Sequence, residues 1–282
     1  MKNTKIGFIG TGFIGGNLSK NFKDRGFKNI TLYDTGINRK NRTYISACDI
    51  VFVAVPTPTT PDGFDSSILM DVLPLVGEGK IAVIKSTVPP RVMENLHVLY
   101  SHITLMHCPE FLSEDTARKD TDKPERNIIG ISNIDDVELI ADAARVMRIL
   151  PEAEYEKICT YTESTMVKYI GNCFFYVKNM FFNMMYDLAY EYNCDWDRLH
   201  EMILEDSRIH PVHTKPFDKK GRGAGGHCLI KDFATLANMY DEELPFDGSG
   251  HNVLRNNETK NMELLTNSDK DLDLLGGVYN IK

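Results

Sequence analysis

The chain has 282 residues, 42% hydrophobic and 26% charged, the balance of an ordinary globular protein long enough for about two domains. A net charge of −8 argues against nucleic acid as a partner. Six scattered cysteines without a CxxC pair read as reduced intracellular thiols.

The N-terminus runs straight into a strand, "KIGFIG", with no visible leader, so the chain reads as cytoplasmic. The turn GTGFIG (Gly10, Gly12, Gly15) follows that strand and opens the amphipathic helix "GGNLSKNFKDRG". In this context Gly10 permits the tight turn, Gly12 lets backbone approach a pyrophosphate, and Gly15 lets the helix pack on its strand. The helix N-terminus offers amide donors to the phosphates. "ITLYD" ends in Asp34, where a carboxylate holds the ribose hydroxyls and repels a ribose phosphate, so NAD is expected over NADP. Arg39, Lys40 and Arg42 lie close by and weigh the other way.

The strands "IVFVAVP", "IAVIKST", "ITLMHCPE" and "NIIGIS" continue the pattern, with helices such as "RVMENLHVLYS" between them. This alternation predicts a Rossmann-type α/β domain with a parallel sheet over residues 1–160. From Thr162 the pattern changes. The stretch "ESTMVKYIGNCFFYVKNMFFNMMYDLAYEYN" holds no proline and one glycine, and predicts one long helix. Lys178, Asn179, Asn183 and Asp187 make it too polar to cross a bilayer, so no membrane association is expected. Helices are predicted around "DWDRLHEMILED" and "KDFATLANMYDEE", a loop at "ELPFDGSGHN", and a last helix in "NMELLTNSDKDLDLLGG" closed by Gly276 or Gly277. Residues 161–282 thus form an α-helical second domain. His210 and His213 are the nearest approach to a metal pair, and they read as loop residues, so no metal is expected.

Several residues carry possible chemistry. Thr87 ends a strand at the carboxyl edge, where α/β sheets bind ligands. Glu110 and Glu114 follow another strand and can place or deprotonate water. Lys168 and Asn172 are four apart on the long helix and share a face, offering an ammonium and an amide to developing negative charge. In "GRGAGGHCLIKD", a helix beginning after the glycines puts Cys228 at its positive end, four residues before Asp232. The ordinary alternatives are solvated carboxylates, a lysine reaching to solvent, a helix-contact asparagine and a structural glycine turn.

In combination the motifs resemble the UDP-glucose/GDP-mannose dehydrogenase family. The pieces in family order are "GFIGTGFIG", "VAVPTP", "KSTVPP", "PEFLSE", "ERNIIG", "ESTMVKYIGN", "DSRI" and "GAGGHCLIKD", covering residues 1 to about 257. The resemblance implies an NAD-dependent nucleotide-sugar dehydrogenase that oxidises a primary alcohol twice, through a cysteine thiohemiacetal and thioester. By position Cys228 is the nucleophile, Lys168 and Asn172 stabilise the oxyanion, and Asp232 holds Lys168 or a water. Thr87 with Glu110 or Glu114 places the water. Phe13, Ile14, Asp34, Arg39, Thr57, Thr87, Glu114 and Lys231 become NAD contacts, beside the glycines. Glu110, Phe111, Leu112, Lys168, Asn172, Arg208 and Gly225 become contacts of a UDP-sugar. A homodimer through the long helix is also implied.

The chain departs from the family pattern at Ile230, where proline is usual, at Cys108, where asparagine is usual, and at Pro90 and Arg91. It ends about where the family's third, UDP-binding domain begins, so that domain is expected to be absent. Two other readings stay open: a dehydrogenase of a smaller sugar or hydroxy acid, and a catalytically silent NAD-binding subunit.

Overall fold

The computed structural model describes residues 3–113, 115–218 and 220–280. They form two compact units: residues 1–57 with 65–168, and residues 58–64 with 169–282. Glu114, expected in catalysis and NAD binding, lies outside the described residues.

The first unit is built on β1 (Ile6–Ile9), α1 (Phe13–Asp24), β2 (Ile30–Tyr33) and β3 (Ile50–Val53). A short hairpin, β4 (Thr59–Thr60) with β5 (Gly63–Phe64), interrupts it and belongs to the second unit. There follow α2 (Ser67–Val72), β6 (Ile81–Ile84), α3 (Pro90–Leu99), β7 (Thr104–His107), α4 (Ala117–Asp122), β8 (Arg126–Ile131), α5 (Val137–Met147) and β9 (Tyr155–Thr160). The seven-stranded sheet has the order β2-β1-β3-β6-β7-β8-β9. Its first five strands are parallel, with Ile6 opposite both Ile30 and Ile50. β1, β3 and β6 are buried throughout, as runs such as "IVFV" and "IAVI" require when helices cover both faces. Phe8 stacks on Phe52 at 5.3 Å, and Phe22 of α1 meets both rings edge-on. Each such fully buried ring contributes about 1.5–3 kcal/mol.

The sheet corrects the all-parallel expectation at one place. β8 runs antiparallel to β7, through the pair His107 and Gly130. Among its described residues the connection carries only α4, whose six residues rise about 9 Å, less than a four-residue strand spans. α4 is anchored to α1 by Arg118 on Asp24 and Asn21 on Asp122. The chain therefore re-enters the sheet from the end at which β7 left it. β9, not anticipated from sequence, pairs parallel with β8 at the edge.

The long helix α6 (Tyr161–Glu191) has 31 residues; it begins in the first unit and ends in the second. It is followed by α7 (Trp196–Leu204), β10 (Phe217–Asp218), β11 (Gly221–Arg222), α8 (Gly226–Glu243), α9 (Gly248–Asn267) and α10 (Leu272–Tyr279). In the second unit Tyr176 of α6 stacks on Phe233 of α8 at 3.9 Å, among Cys173, Met180 and Leu264. Ile230 packs beside Leu265, Leu275 and Val278.

Two corrections concern the C-terminal third. The predicted loop at "ELPFDGSGHN" is already helical from Gly248, because the Asp247 carboxylate accepts the Gly250 amide and caps α9. The predicted single last helix is two. Asp269 and Asp271 both take positive φ (52°), which breaks the helix after Asn267. Gly276 and Gly277 lie inside α10, and Asn280, at φ 55°, ends it instead.

Candidate active site

The glycine turn after β1 has the shape a dinucleotide needs. Gly10 has φ +82°, and a Cβ there would lie 2.3 Å from the Ala54 carbonyl oxygen. A Cβ on Gly15 would lie 2.0 Å from the Gly10 oxygen, so both positions exclude a side chain. At Gly12, the residue preceding α1, the added carbon would meet nothing within 4 Å. That open space lies at the helix N-terminus, where a phosphate has room beside unpaired amides. Phe13 is half exposed there and Ile14 partly buried.

Asp34 follows β2 and is tied to the same turn. Its Oδ2 accepts the Thr11 amide at 2.7 Å and the Thr11 hydroxyl at 3.0 Å. The Thr11 amide bond leads the causes that hold this carboxyl below its ordinary value. An ionised carboxylate fixed beside the turn fits a ribose diol and opposes a phosphate. Arg39 is exposed at the start of a 3-10 segment, while Arg42 is engaged with the Tyr33 hydroxyl at 3.0 Å and with Asp71. The residues present fit NAD.

At the carboxyl ends of β3, β6 and β7 the first unit gathers the other predicted groups. Thr57 and Thr87 are buried, and the Thr57 hydroxyl donates to the Thr87 carbonyl at 2.9 Å. Glu110 accepts the Lys168 ammonium at 2.9 Å on one oxygen and the Leu112 amide at 2.7 Å on the other. Their side chains are 10% and 5% exposed, so this is a buried ion pair. Burial pushes the Glu110 carboxyl up, but Lys168, the Leu112 amide and Lys85 outweigh it, and the carboxyl lies below its ordinary value. The Phe111 ring lies between two cations, the Arg126 guanidinium at 3.8 Å and the Lys168 ammonium at 5.7 Å from its centre.

Behind this pair lie residues that sequence reading missed. Lys85 is buried and donates to the Cys108 thiol at 3.2 Å and to the Pro109 carbonyl at 3.3 Å. His107 is fully buried between the Ser164 hydroxyl (2.8 Å) and the Ser86 carbonyl (3.3 Å). Burial first, with Lys85 and Lys168, pulls its pKa down to about 3 against the Ser86 bond. Gly130 makes room for Ser164: a Cβ would lie 2.1 Å from that hydroxyl. The one sequence signal was a lysine in "KST", polar at the end of an apolar strand.

The second unit holds the rest. Asp232 is 1% exposed; its carboxylate accepts the Asn172 amide at 2.6 Å and the Lys231 ammonium. Sequence reading gave Asp232 to Lys168 or a water, and Lys231 to NAD. The carboxylate found on Lys168 is Glu110. Cys228 is exposed on the third residue of α8, within the first helical turn. Gly225 immediately precedes that helix, and a Cβ on it would lie 2.2 Å from an Asp271 oxygen. Arg208 is 87% exposed and forked onto Asp206 of its own turn. His213, at φ 60°, stacks on Phe175, and the His210 carbonyl accepts Lys178.

Comparison with known proteins agrees with this geometry. The UDP-glucose/GDP-mannose dehydrogenase family, NAD binding domain, matches residues 34–147, and the central domain of the same family matches residues 162–258. The Bacillus subtilis protein YtcA, which carries a provisional UDP-glucose 6-dehydrogenase name, is 31% identical over 208 residues, 69% of this chain and 47% of its own length. The UDP-glucose 6-dehydrogenase of Rickettsia felis is 29% identical over 203 residues, 68% of this chain and 44% of its own. The chain thus spans about half the length of the curated relatives it matches. Among solved structures, a UDP-glucose dehydrogenase from Pyrobaculum islandicum superposes with a TM-score of 0.75 at 23% identity, covering 91% of this chain and 68% of that one. A 3-hydroxyisobutyrate dehydrogenase from Mycobacterium tuberculosis shares the fold over 99% of both chains, with a TM-score of 0.72 at 15% identity. The cofactor of this fold is NAD, and the two matched domains, with the glycine turn and Asp34 in place, make the chain a member of the UDP-glucose/GDP-mannose dehydrogenase family.

Proposed function

We propose that the chain is an NAD-dependent nucleotide-sugar dehydrogenase that oxidises the primary alcohol of a UDP-sugar to a carboxylate in two steps. The observation that carries the reading is Cys228, exposed in the first turn of α8 behind a glycine-rich loop. A single oxidation of an alcohol has no use for a nucleophilic thiol there; a double oxidation does.

NAD, held by the glycine turn and Asp34, would supply the hydride acceptor, one molecule for each of the two oxidations, and the alcohol proton of the first would pass to the water placed by Thr87 with Glu110 or Glu114. The first product is an aldehyde. The Cys228 thiolate bonds to its carbonyl carbon, and the carbonyl oxygen takes up the negative charge. Amide groups in the first turn of a helix stabilise a thiolate by roughly 0.3–1 kcal/mol. Lys168 and Asn172 donate to the oxyanion and then to the thiohemiacetal oxygen. Glu110 keeps Lys168 ordered in a buried setting. Oxidation of the thiohemiacetal carbon leaves a thioester. Water attacks it, the carbon–sulfur bond breaks, the thiolate is released and the acid leaves. Thr87, with Glu110 or Glu114, places and deprotonates that water. Asp232 orients Asn172. Arg208 and the Gly225 backbone contact the nucleotide-sugar.

The protein is further proposed to act as a homodimer through α6. Ile170, Phe174, Val177, Phe181, Met184 and Leu188 are between 39% and 60% exposed. They recur every three to four residues along one helix, an apolar stripe of the kind a second helix covers.

The test is NADH formed per sugar consumed, with purified chain, UDP-glucose and related UDP-sugars, beside Cys228→Ser. Two NADH per sugar acid, lost in the variant, is the expected result. One NADH per molecule of a small hydroxy acid, unchanged in the variant, would replace this reading with a single-oxidation dehydrogenase.

A further inference from the structure

The loop ahead of Cys228 is held by a segment that the reaction scheme leaves unused, the last turns of α9 and its junction with α10. Asn261 accepts the Ala224 amide at 2.7 Å and donates to the Ala224 carbonyl at 3.0 Å. The Ser268 hydroxyl accepts the Arg222 amide at 3.0 Å. The buried Lys270 donates to the Gly223 carbonyl at 2.8 Å and to Asp218 at 2.6 Å. Asp271 accepts the Gly226 amide at 2.7 Å, the first residue of α8.

The glycines answer to the same junction. A Cβ on Gly221 would lie 2.6 Å from the Ser268 hydroxyl, on Gly223 2.8 Å from the Asn261 oxygen, and on Gly225 2.2 Å from Asp271. Gly221, Gly223 and Gly226 also have φ of +139°, +90° and +84°. Three of the loop's glycines are therefore required because the junction presses against them. Asp269 and Asp271, both at left-handed φ, shape the bend that delivers Lys270 and Asp271 to the loop.

We infer that the last turns of α9 and its junction with α10, through Asn261, Lys270 and Asp271, are the positioning element of Cys228: they fix the loop backbone and cap α8 two residues before the thiol. Asp271 fills the role of a helix cap from a distant part of the chain, satisfying one of the amides that a helix start leaves open. The first turn stays wound, and the amide groups of that turn stay aimed at the thiolate. The other charged or titratable groups nearest the loop are Asp218 of β10, Lys220, whose ammonium lies 3.8 Å from the other Asp271 oxygen, Arg222 of β11, and His227 and Lys231 on α8 itself. The inference rests on the reading of Cys228 as the nucleophile.

Alkylation of Cys228 by iodoacetamide, followed by peptide mass spectrometry from pH 6 to 10, tests it on the full chain. Cys194→Ser removes the other exposed thiol; the remaining four cysteines are buried. Asp271→Ala and Asp271→Asn remove the same charge, but only asparagine keeps an acceptor for the Gly226 amide. The expected midpoint of the alkylation profile is about half a pH unit higher in the alanine variant than in the asparagine variant, the size of a lost first-turn contribution. Asn261→Ala, which changes no charge, moves the midpoint up from wild type in the same direction. With UDP-sugar and NAD, kcat falls about tenfold or more in Asp271→Ala, and asparagine restores most of it, at little-changed KM. Equal midpoints in the two Asp271 variants, or an unmoved midpoint in a folded Asn261→Ala, overturn the inference. Should Asp271→Ala not fold, the Asn261 comparison decides alone. Alkylation needs neither sugar nor cofactor, so a Cys228→Ser protein that still made two NADH would remove the nucleophile reading and leave the alkylation result standing.

Discussion

At the residue scale the buried polar cluster behind Glu110 carries the sharpest electrostatics. Lys85, His107 and Lys168 are all buried in the first unit, with Glu110 as the carboxylate that faces the lysines. His107 is held neutral, with a pKa near 3, because burial and the two lysines disfavour a third cation. An unfolded chain protonates the same histidine near pH 6.5. Below that pH the unfolded state binds a proton the folded state refuses, so stability falls as pH drops from about 6.5 toward 3. At pH 5 the loss amounts to about 2 kcal/mol, from 1.36 kcal/mol per pH unit. Urea unfolding at pH 7 and pH 5 checks this against His107→Gln, which removes the titration. The wild-type decrement is expected to exceed the variant's by that amount, and equal decrements would show that His107 gains a proton in the folded protein. Beyond the polar lysine in "KST", nothing in the sequence signalled that Lys85 and His107 join this cluster. Residues 85 and 107 each sit at the end of an apolar strand, and only the assembled sheet shows that β6 and β7 put them side by side. Asp34 and the glycine turn were legible because the motif has a fixed spacing, with an acid at the end of the next strand. The partner of Lys168 was not, because Glu110 lies 58 residues away.

At the element scale, the runs that read clearly were those whose faces are uniform. β1, β3 and β6 are buried on both sides and spell short apolar words; α6 has no breaker over 31 residues. β9 reads as polar because it is an edge strand with an exposed start, and its pairing with β8 comes from main-chain geometry. The break between α9 and α10 was hidden in "NSDKD", where two aspartates take a conformation usually left to glycine or asparagine, while the real glycines stay helical. Of the glycines before Cys228, Gly225 was expected to contact the substrate, and Gly221, Gly223 and Gly225 are also room for Ser268, Asn261 and Asp271. The exposed stripe of α6 makes an element-scale prediction. Phe174 and Phe181 are already about half buried, so a partner helix that covers them gains roughly 1 kcal/mol from each. Phe181→Glu places a charge in the middle of that stripe. Sedimentation at micromolar concentration is expected to give two chains for wild type and one for the variant. A wild-type mass of one chain would leave the stripe without its partner.

For the molecule as a whole, the net charge of −8 and the single carboxylate Asp34 offer two different reasons to prefer NAD over its phosphorylated form, and they can be separated. Both dinucleotides are anions, but the ribose phosphate adds further negative charge, which the protein's overall field also repels. That field acts over distance and is screened within about 8–10 Å at physiological salt. The proposed Asp34 contact with the ribose is local: its carboxylate is pinned by the Thr11 amide and hydroxyl beside the glycine turn and held ionised. A ligand at about 100 times its Kd stabilises the folded state by about 2.7 kcal/mol. For a chain of this size roughly 1 kcal/mol moves the melting temperature by about 2–4 °C, so NAD is expected to raise it by about 5–10 °C. NADP at the same concentration is expected to raise it far less. If Asp34 is the cause, the gap between the two cofactors persists in 0.5 M salt (about 4 Å of screening) and closes in Asp34→Asn, which keeps an acceptor for Thr11 but carries no charge. A gap that salt erases and Asp34→Asn leaves intact would assign the preference to the acidic surface instead, and Asp34 would then be a residue that shapes the turn without selecting the cofactor.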